Sequence, residues 1–431
     1  MISSSFNILN KIHVSKPLPG VRLFAYTIDT PGVVTILGSF LGGDTYAPDH
    51  KGLLPDMVAS LLDTGTAKLS KAQLRDKLES LGASLAITAR GDRMAFSIQC
   101  MPEDMQAVLA IVSEELRGAI FPESELKILK HHIASALHEE KSETSAIAMT
   151  HFLQSIYPKG HSNYQESIAE RLASLPKISR KDLLAFHKEH FGRNDFLLCA
   201  VGDVNPSSFE SLVKKYVKPL PETTSAIPVR PAVPQSKAHR EFTLIKDKAT
   251  ADVVLGHELP ITRKDLRYYP LLIVMELLGA SGFTSHLFQT VRERDGLTYF
   301  IRAGLAGFGD SDQGHWFIRS TFAPHLFQRG LSTILSELDV FLKTPIADEV
   351  IEKKKEELIG AFAVSLGTTA GLAKTILWTQ EEGLPLSFID EYPTILRSIT
   401  PASVREALSL IHPKRLTICA AGSIDANGKP L

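Results

Sequence analysis

The chain has 431 residues, 44% of them hydrophobic and 22% charged, with a formal net charge of -1 and a pI near 7.0. That length exceeds one ordinary core and points to about two to four domains, and the composition is that of a globular protein, which excludes a disordered or fibrous chain. The balanced charge excludes the basic footprint of a nucleic-acid binder, and no apolar run reaches the ~18 residues needed to span a bilayer.

The N-terminal stretch MISSSFNILNKIHVSKP lacks the basic-then-apolar plan of a secretory signal, and a mature chain whose leader had been removed reads the same way. Strands are expected over Gly20 to Ile28 and Gly32 to Phe40, then a helical region from near Lys51 and an amphipathic helix over Ala72 to Leu81 that Gly82 ends. Alternating strands follow at Ser84 to Ala89 and Arg93 to Cys100. Helices are expected over Pro102 to Arg117, Pro122 to Lys141 and Ser179 to His190, ahead of the strand FLLCAVGDV at Phe196 to Val204. Cys100, Cys199 and Cys419 each lie in or at the end of an apolar run, which reads as small buried thiols rather than metal ligands or a disulfide.

From Pro219 to Lys237 the composition turns to PLPETTSAIPVRPAVPQSK, without periodicity, and this is the linker. Beyond it the pattern returns. FLLCAVGDV at Phe196 is echoed by LTICAAGSI at Leu416, and the same displacement carries SIQC at Ser97 onto FIRS at Phe317. The helix starts ISRKDL at Ile178 and ITPASV at Ile399 are one residue further apart. The expected organisation is therefore two copies of one domain, 1–218 and 238–431, joined by the linker 219–237. Each copy reads as an α+β sandwich, a mainly antiparallel sheet covered by helices, and ligands are expected between copies arranged like a clam shell.

In the second copy, GASGFTSHLFQTVRERDGLTY runs from Gly279 to Tyr299. Phe283, Leu287, Phe288 and Val291 recur at helical spacing, Gly296 is a C-terminal stop, and Thr298 and Tyr299 begin an extended segment. Arg292 and Tyr299 flank this helix-to-strand corner. Such a corner aims a guanidinium and a phenol at one point, which suits a peptide carbonyl or its oxyanion; a surface arginine near a half-buried tyrosine is the plainer reading.

The first copy's GLLPDMVASLLDTGT at Gly52 to Thr66 with the following helix KAQLRDKLESLGASLAITARGDR, and the second copy's LLGASGFTSHLFQTVRERDGLTY at Leu277 to Tyr299, resemble the pitrilysin or insulinase family of zinc peptidases. The likeness covers nearly the whole chain, and its second-half motif is the more specific. Active members of that family carry His-x-x-Glu-His about ten residues before the Gly-Thr pair and a further glutamate ligand on a later helix. Two imidazoles four apart and a carboxylate hold the metal, and the intervening glutamate deprotonates its water. The resemblance puts that motif on Asp56 to Ser60, where both imidazoles are missing and Ala59 stands in place of the base; the later ligand falls on Ala136. A shifted register brings Glu139 or Glu140 closer and restores neither histidine. This chain is expected to hold no metal.

No other metal or nucleophile pattern replaces it. His131 and His132 are adjacent and diverge by about 100° on a helix; His187 and His190 share a face without a carboxylate or cysteine partner nearby and read as a solvated face; His138, His151, His161 and His286 stand alone. In family members that work as pairs, one chain brings zinc and base and the other the Arg/Tyr element. The resemblance implies that this chain is the second kind, with Arg292 and Tyr299 acting in trans, zinc held by a homologous partner subunit, and an unfolded peptide as substrate. Ser84, Leu85, Ala86, Ile87 and Thr88 resemble the family's substrate-binding edge strand, and an ordinary edge is the competing reading. A peptide-binding or structural paralogue without a role in catalysis is the alternative function, and an independent hydrolase with a new metal site a third. The family's paired peptidases suggest a bacterial envelope location, the periplasm if a leader was removed and otherwise the cytoplasm.

Overall fold

The computed structural model describes residues 7–29, 32–223 and 226–431. The expectations for the first six residues, and for Thr224 and Ser225 within the linker, lie outside them. Two compact units emerge, and the chain passes between them more than once. One unit is built from residues up to Ser135, from Ala169–Val229 and from Phe362–Glu391; the other takes Ala136–Ile168, Arg230–Ala361 and Tyr392–Leu431.

The first unit holds β1 (Ile12–Leu18), β2 (Val21–Thr27), β3 (Val34–Leu41), β4 (Ser84–Arg90), β5 (Arg93–Cys100) and β6 (Phe196–Gly202), in the order β1-β2-β6-β3-β5-β4. Only β2 and β6 run parallel. Every residue of β6 is buried, as a central strand covered on both faces requires. One face packs on the helices Leu54–Leu61, Met105–Gly118, Arg180–His190 and Pro206–Val217 through Leu23, Ile36, Leu198 and their neighbours. On the other face Phe24, Leu197, Cys199 and Val201 meet Leu372, Ala373, Ile376 and Leu377 of the helix Thr369–Glu381. That cover thus comes from the far end of the sequence. It is fastened by polar contacts as well, Gln380 accepting from Arg22 (3.1 Å) and Glu381 from Arg90 (2.7 Å).

The second unit repeats the plan with β7 (His239–Leu244), β8 (Ala251–Glu258), β9 (Phe300–Ala306), β10 (His315–Phe322) and β11 (Thr417–Gly422), in the order β7-β11-β8-β10-β9. Here the helix Thr144–Ile156, from the early part of the chain, lays Ile147, Ala148, Phe152 and Ile156 on Val254, Cys419 and Ala421. The expected α+β class and mainly antiparallel sheets are observed, and β5 and β10, and β6 and β11, are the matched pairs that the internal repeat implies.

Local sequence explains the boundaries. Ser70 and Gln73 form a reciprocal cap for the helix Lys71–Ser80, and Ser179 and Asp182 do the same for Arg180–His190. The strand β1 is unanticipated: Lys16 and Pro17 interrupt its alternation, and a proline is tolerated because the strand lies at the sheet edge. One core feature is costly. Glu115, on the helix Met105–Gly118, is 0% exposed, and neither carboxylate oxygen has a hydrogen-bond partner among the described residues. Burial, with a smaller contribution from Asp63, pushes its carboxyl up to about 8.

Candidate functional site

The helix-to-strand corner lies in the second unit. After the helix Tyr268–Met275 the chain forms a π turn over Glu276–Ala280, a 3-10 turn over Gly282–Thr284 and a second π segment over Phe288–Arg294. The sequence spacing predicts a plain helix here. The wider turns show as Ser281 N–H donating to Glu276 O (3.3 Å) and Asp295 N–H to Thr290 O (3.1 Å). Such turns re-aim side chains and concentrate at functional positions. The expected stop is present, Gly296 having φ +61. Gly279 permits close approach to β9: a Cβ there would lie 2.6 Å from Ala303 N.

Arg292 and Tyr299 face each other across this corner. The Arg292 Cζ lies 4.7 Å from the centre of the Tyr299 ring and 4.4 Å from that of Phe288. Tyr299 is 84% exposed, and Phe283, 72% exposed, packs edge-on to Phe288 at 4.9 Å. Neighbouring cations are occupied elsewhere: Arg294 pairs with Asp295 (2.8 Å) and Glu337 (2.9 Å). Among the described residues the one ion pair of Arg292 is with Glu293, at 3.6 Å. A guanidinium stacked on a ring keeps its in-plane donors open to a carbonyl or carboxylate.

Two supports escaped sequence reasoning. Thr298 pins the entry to β9, its Oγ1 accepting from Phe300 N–H (3.1 Å) and from Ser320 Oγ (3.3 Å). Lys354, 5% exposed, donates from Nζ to Ser281 Oγ (2.9 Å), which itself donates to Glu276 (2.6 Å), holding the turn before the corner. Nothing in the run EKKKEE marks Lys354 and Lys355, 5% and 2% exposed, as its buried members.

In the first unit the helix Leu54–Leu61 carries Asp56 and Ser60 on its exposed side and turns Ala59 inward at 8% exposure. Ala136 is an exposed position of the helix Glu123–Glu140. These residues do not fit a zinc ion: no imidazole is among them, and among the described residues no group of three or more His, Cys, Asp or Glu can hold a metal. An acidic pair stands there instead. Desolvation and then the Asp56 charge push the Asp44 carboxyl up to about 6 against one lowering contact, the Gly91 N–H at 3.2 Å, and Asp56 is itself raised by desolvation.

Beside this helix, β4 is an edge strand, paired among the described residues with β5 alone. Ser84, Ala86 and Thr88 are exposed; Leu85 and Ile87 turn inward onto the core. The expectation of a solvated face at His187 and His190 is corrected: His190 is 7% exposed, and His187 reaches Leu116 O at 2.9 Å and packs on Phe121 and Phe191. Burial lowers His187 to about 4, so both rings serve the core. The three cysteines are free and buried, as expected.

Comparison with known proteins matches residues 48–167 to the insulinase (peptidase family M16) model and residues 177–358 to the peptidase M16 inactive domain model. The chain is 21% identical to an uncharacterized zinc protease of Streptomyces coelicolor, over 95% of this chain and 87% of that one. It is 21% identical to the non-peptidase homolog YmxG of Helicobacter pylori, over 85% and 83%. It shares its fold with the peptidase M16 inactive domain from Pseudomonas fluorescens, at a TM-score of 0.87 and 20% identity over 97% of this chain and 99% of that one. The two family matches, the two-sheet fold and the helix at Leu54–Leu61 stripped of its histidines agree that this chain belongs to the M16 peptidase family, as a member without the metal motif of its peptidases.

Proposed function

We propose that this chain is the non-catalytic member of an M16-type peptidase pair and lends Arg292 and Tyr299 to the site of a zinc-bearing homologous subunit. The observation that carries this reading is the state of Arg292: it stacks on an exposed tyrosine and is left out of the ion pairs that engage Arg294 beside it. In this reading the partner supplies metal and base. Arg292 and the Tyr299 hydroxyl donate hydrogen bonds to the scissile carbonyl oxygen as it gains negative charge. Such donors contribute mainly in the transition state, so the effect falls on kcat.

The edge of β4 is a separate contribution in the first unit, adding a strand of unfolded peptide through its unpaired backbone groups. The second reading, a scaffold or peptide-binding paralogue without catalytic duty, rests on the similarity to a protein described as a non-peptidase homolog.

The experiment reconstitutes this chain with a zinc-bearing M16 subunit from the same source and measures cleavage of an unfolded peptide. With Arg292→Ala and Tyr299→Phe together, kcat is expected to fall by about 10²-fold or more while the complex still assembles. Unchanged turnover in an intact complex favours the scaffold reading and rejects this one.

A further inference from the structure

One face of the second unit's sheet is only partly covered. The helix Thr144–Ile156 lays its apolar side on Val254, Cys419 and Ala421 and bonds through Thr144 to Asp252, so its cover centres on β11 and β8. Further out on the same face, the register of β10 with β8 sets Arg319 opposite Val254, and its register with β9 sets Arg319 opposite Arg302. Directly opposite residues project side by side from one face of a sheet, their Cβ atoms about 5 Å apart.

Two guanidinium groups so placed repel each other, and like charges in opposed positions weaken a sheet. Nothing offsets the repulsion. Arg302 is exposed and Arg319 half-buried, and among the described residues neither side chain makes an ion pair, a hydrogen bond or a ring contact. Asp252, opposite Thr321 in the next row of this face, has its two carboxylate oxygens engaged by Thr144 and Thr321. Flanking the arginines are Phe300, 42% exposed, and Phe317, whose ring lies over Gly304, where a Cβ would stand 3.1 Å from it. The residues that β8, β9 and β10 present on this face include no further Lys or Arg, and Asp252 opposes a highly charged polyanion. Two cations with open donors between aromatic rings suit a group of single negative charge with apolar neighbours.

We propose that Arg302 and Arg319 together bind a carboxylate of an extended peptide, with the apolar side chains beside that carboxylate resting on Phe300 and Phe317. The choice of a peptide rests on the reading above, in which this chain handles unfolded peptide at Arg292 and Tyr299. Arg302 lies three residues beyond Tyr299, about 10 Å at strand spacing, so one extended peptide is long enough to reach both. The carboxylate is an acidic side chain or the peptide's own C-terminus, the same chemistry from two sources. The site lies wholly in the second unit.

The probe is a short fluorescent peptide, blocked at both ends, with one central glutamate between leucines, titrated into the full chain alone and read by anisotropy. Its controls are the blocked glutamine counterpart, that counterpart with a free C-terminus, and inorganic phosphate as competitor. Saturable binding is expected, at least ~10-fold tighter for the glutamate peptide than for the blocked glutamine peptide, and weaker as salt rises. A gain from the free C-terminus instead assigns the terminal carboxylate as the ligand. Arg302→Gln and Arg319→Gln should each remove most of the preference while Tm holds or rises, because each also relieves the like-charge pair. The proposal is overturned by absence of binding, or if neither carboxylate peptide binds more tightly than the blocked glutamine peptide. A preference that survives either substitution, or is lost only together with a lowered Tm, also overturns it, as does displacement by phosphate at concentrations comparable to the peptide Kd. Failure here is distinguishable from failure at Arg292 and Tyr299, which the cleavage assay of the paired complex reads.

Discussion

Glu115 offers the sharpest test of the first unit's energetics. Its carboxyl sits at about 8 in the folded protein against an ordinary glutamate value of 4.5. The unfolded chain therefore ionises first, and the folded state holds a proton the unfolded state has released. Stability is fully present below pH 4.5 and drains away as pH rises, levelling off above about 8. At 1.36 kcal/mol per unit the total approaches about 5 kcal/mol, and between pH 5 and 7 alone it is about 2.7 kcal/mol. Structural relaxation around the ion makes these upper values. Glu115→Gln keeps shape and neutrality while deleting the titration, so the variant should match the wild type near pH 5 and exceed it by about 2 to 3 kcal/mol at pH 7. Urea titrations at several pH values, read by pulsed hydrogen exchange in peptides from the helix Met105–Gly118, resolve this unit from the other. If the two proteins give parallel pH profiles, the acid finds a partner or water on ionising and the reasoning fails.

Gly279→Ala puts a methyl group 2.6 Å from Ala303 N and 2.8 Å from Ala303 Cβ, a contact with backbone that cannot rotate away. A loss of about 1 to 3 kcal/mol is expected from overpacking, visible as a lower Tm by emission of Trp316, a buried residue of β10. Nearby Gly282, at φ +57 with nothing within 4 Å, should lose only about 1 kcal/mol as alanine, the cost of the left-handed backbone; equal losses at both sites would argue against the packing account. At the acidic pair, Asp56→Asn should lower the titration midpoint of Asp44 from about 6 while leaving it above 3.8, because desolvation is the larger cause and persists. Carboxyl carbon NMR reads the midpoint directly, and an unmoved value separates the two groups.

The duplicated plan was readable because the strands that define it are buried apolar runs in both copies, β6 and β11 above all, and burial on both faces tolerates little else. The corner at Arg292 and Tyr299 was readable because a helix stop and a strand start fix a short spacing. Its π turns were not: within the first of them Gly279 presses on β9, and Lys354 holds Ser281 just after it, contacts made by residues far apart in the chain. His187 and His190 show the same limit, since spacing put them on one side of a helix but did not reveal that this side meets Phe121 and Leu116 O.

By itself the sequence determined the two-copy α+β plan and the loss of the zinc ligands, for these depend on residue identity and on periods of two and 3.6. Only the tertiary structure decided that the helix Thr369–Glu381 covers the first sheet, that Thr144–Ile156 covers the second, and that β7 keeps an open edge where β2 has β1. Amphipathic periodicity states that a helix has an apolar face and a strand a polar edge. Which surface receives that face is settled by long-range packing, where many apolar helices compete and shape decides among them.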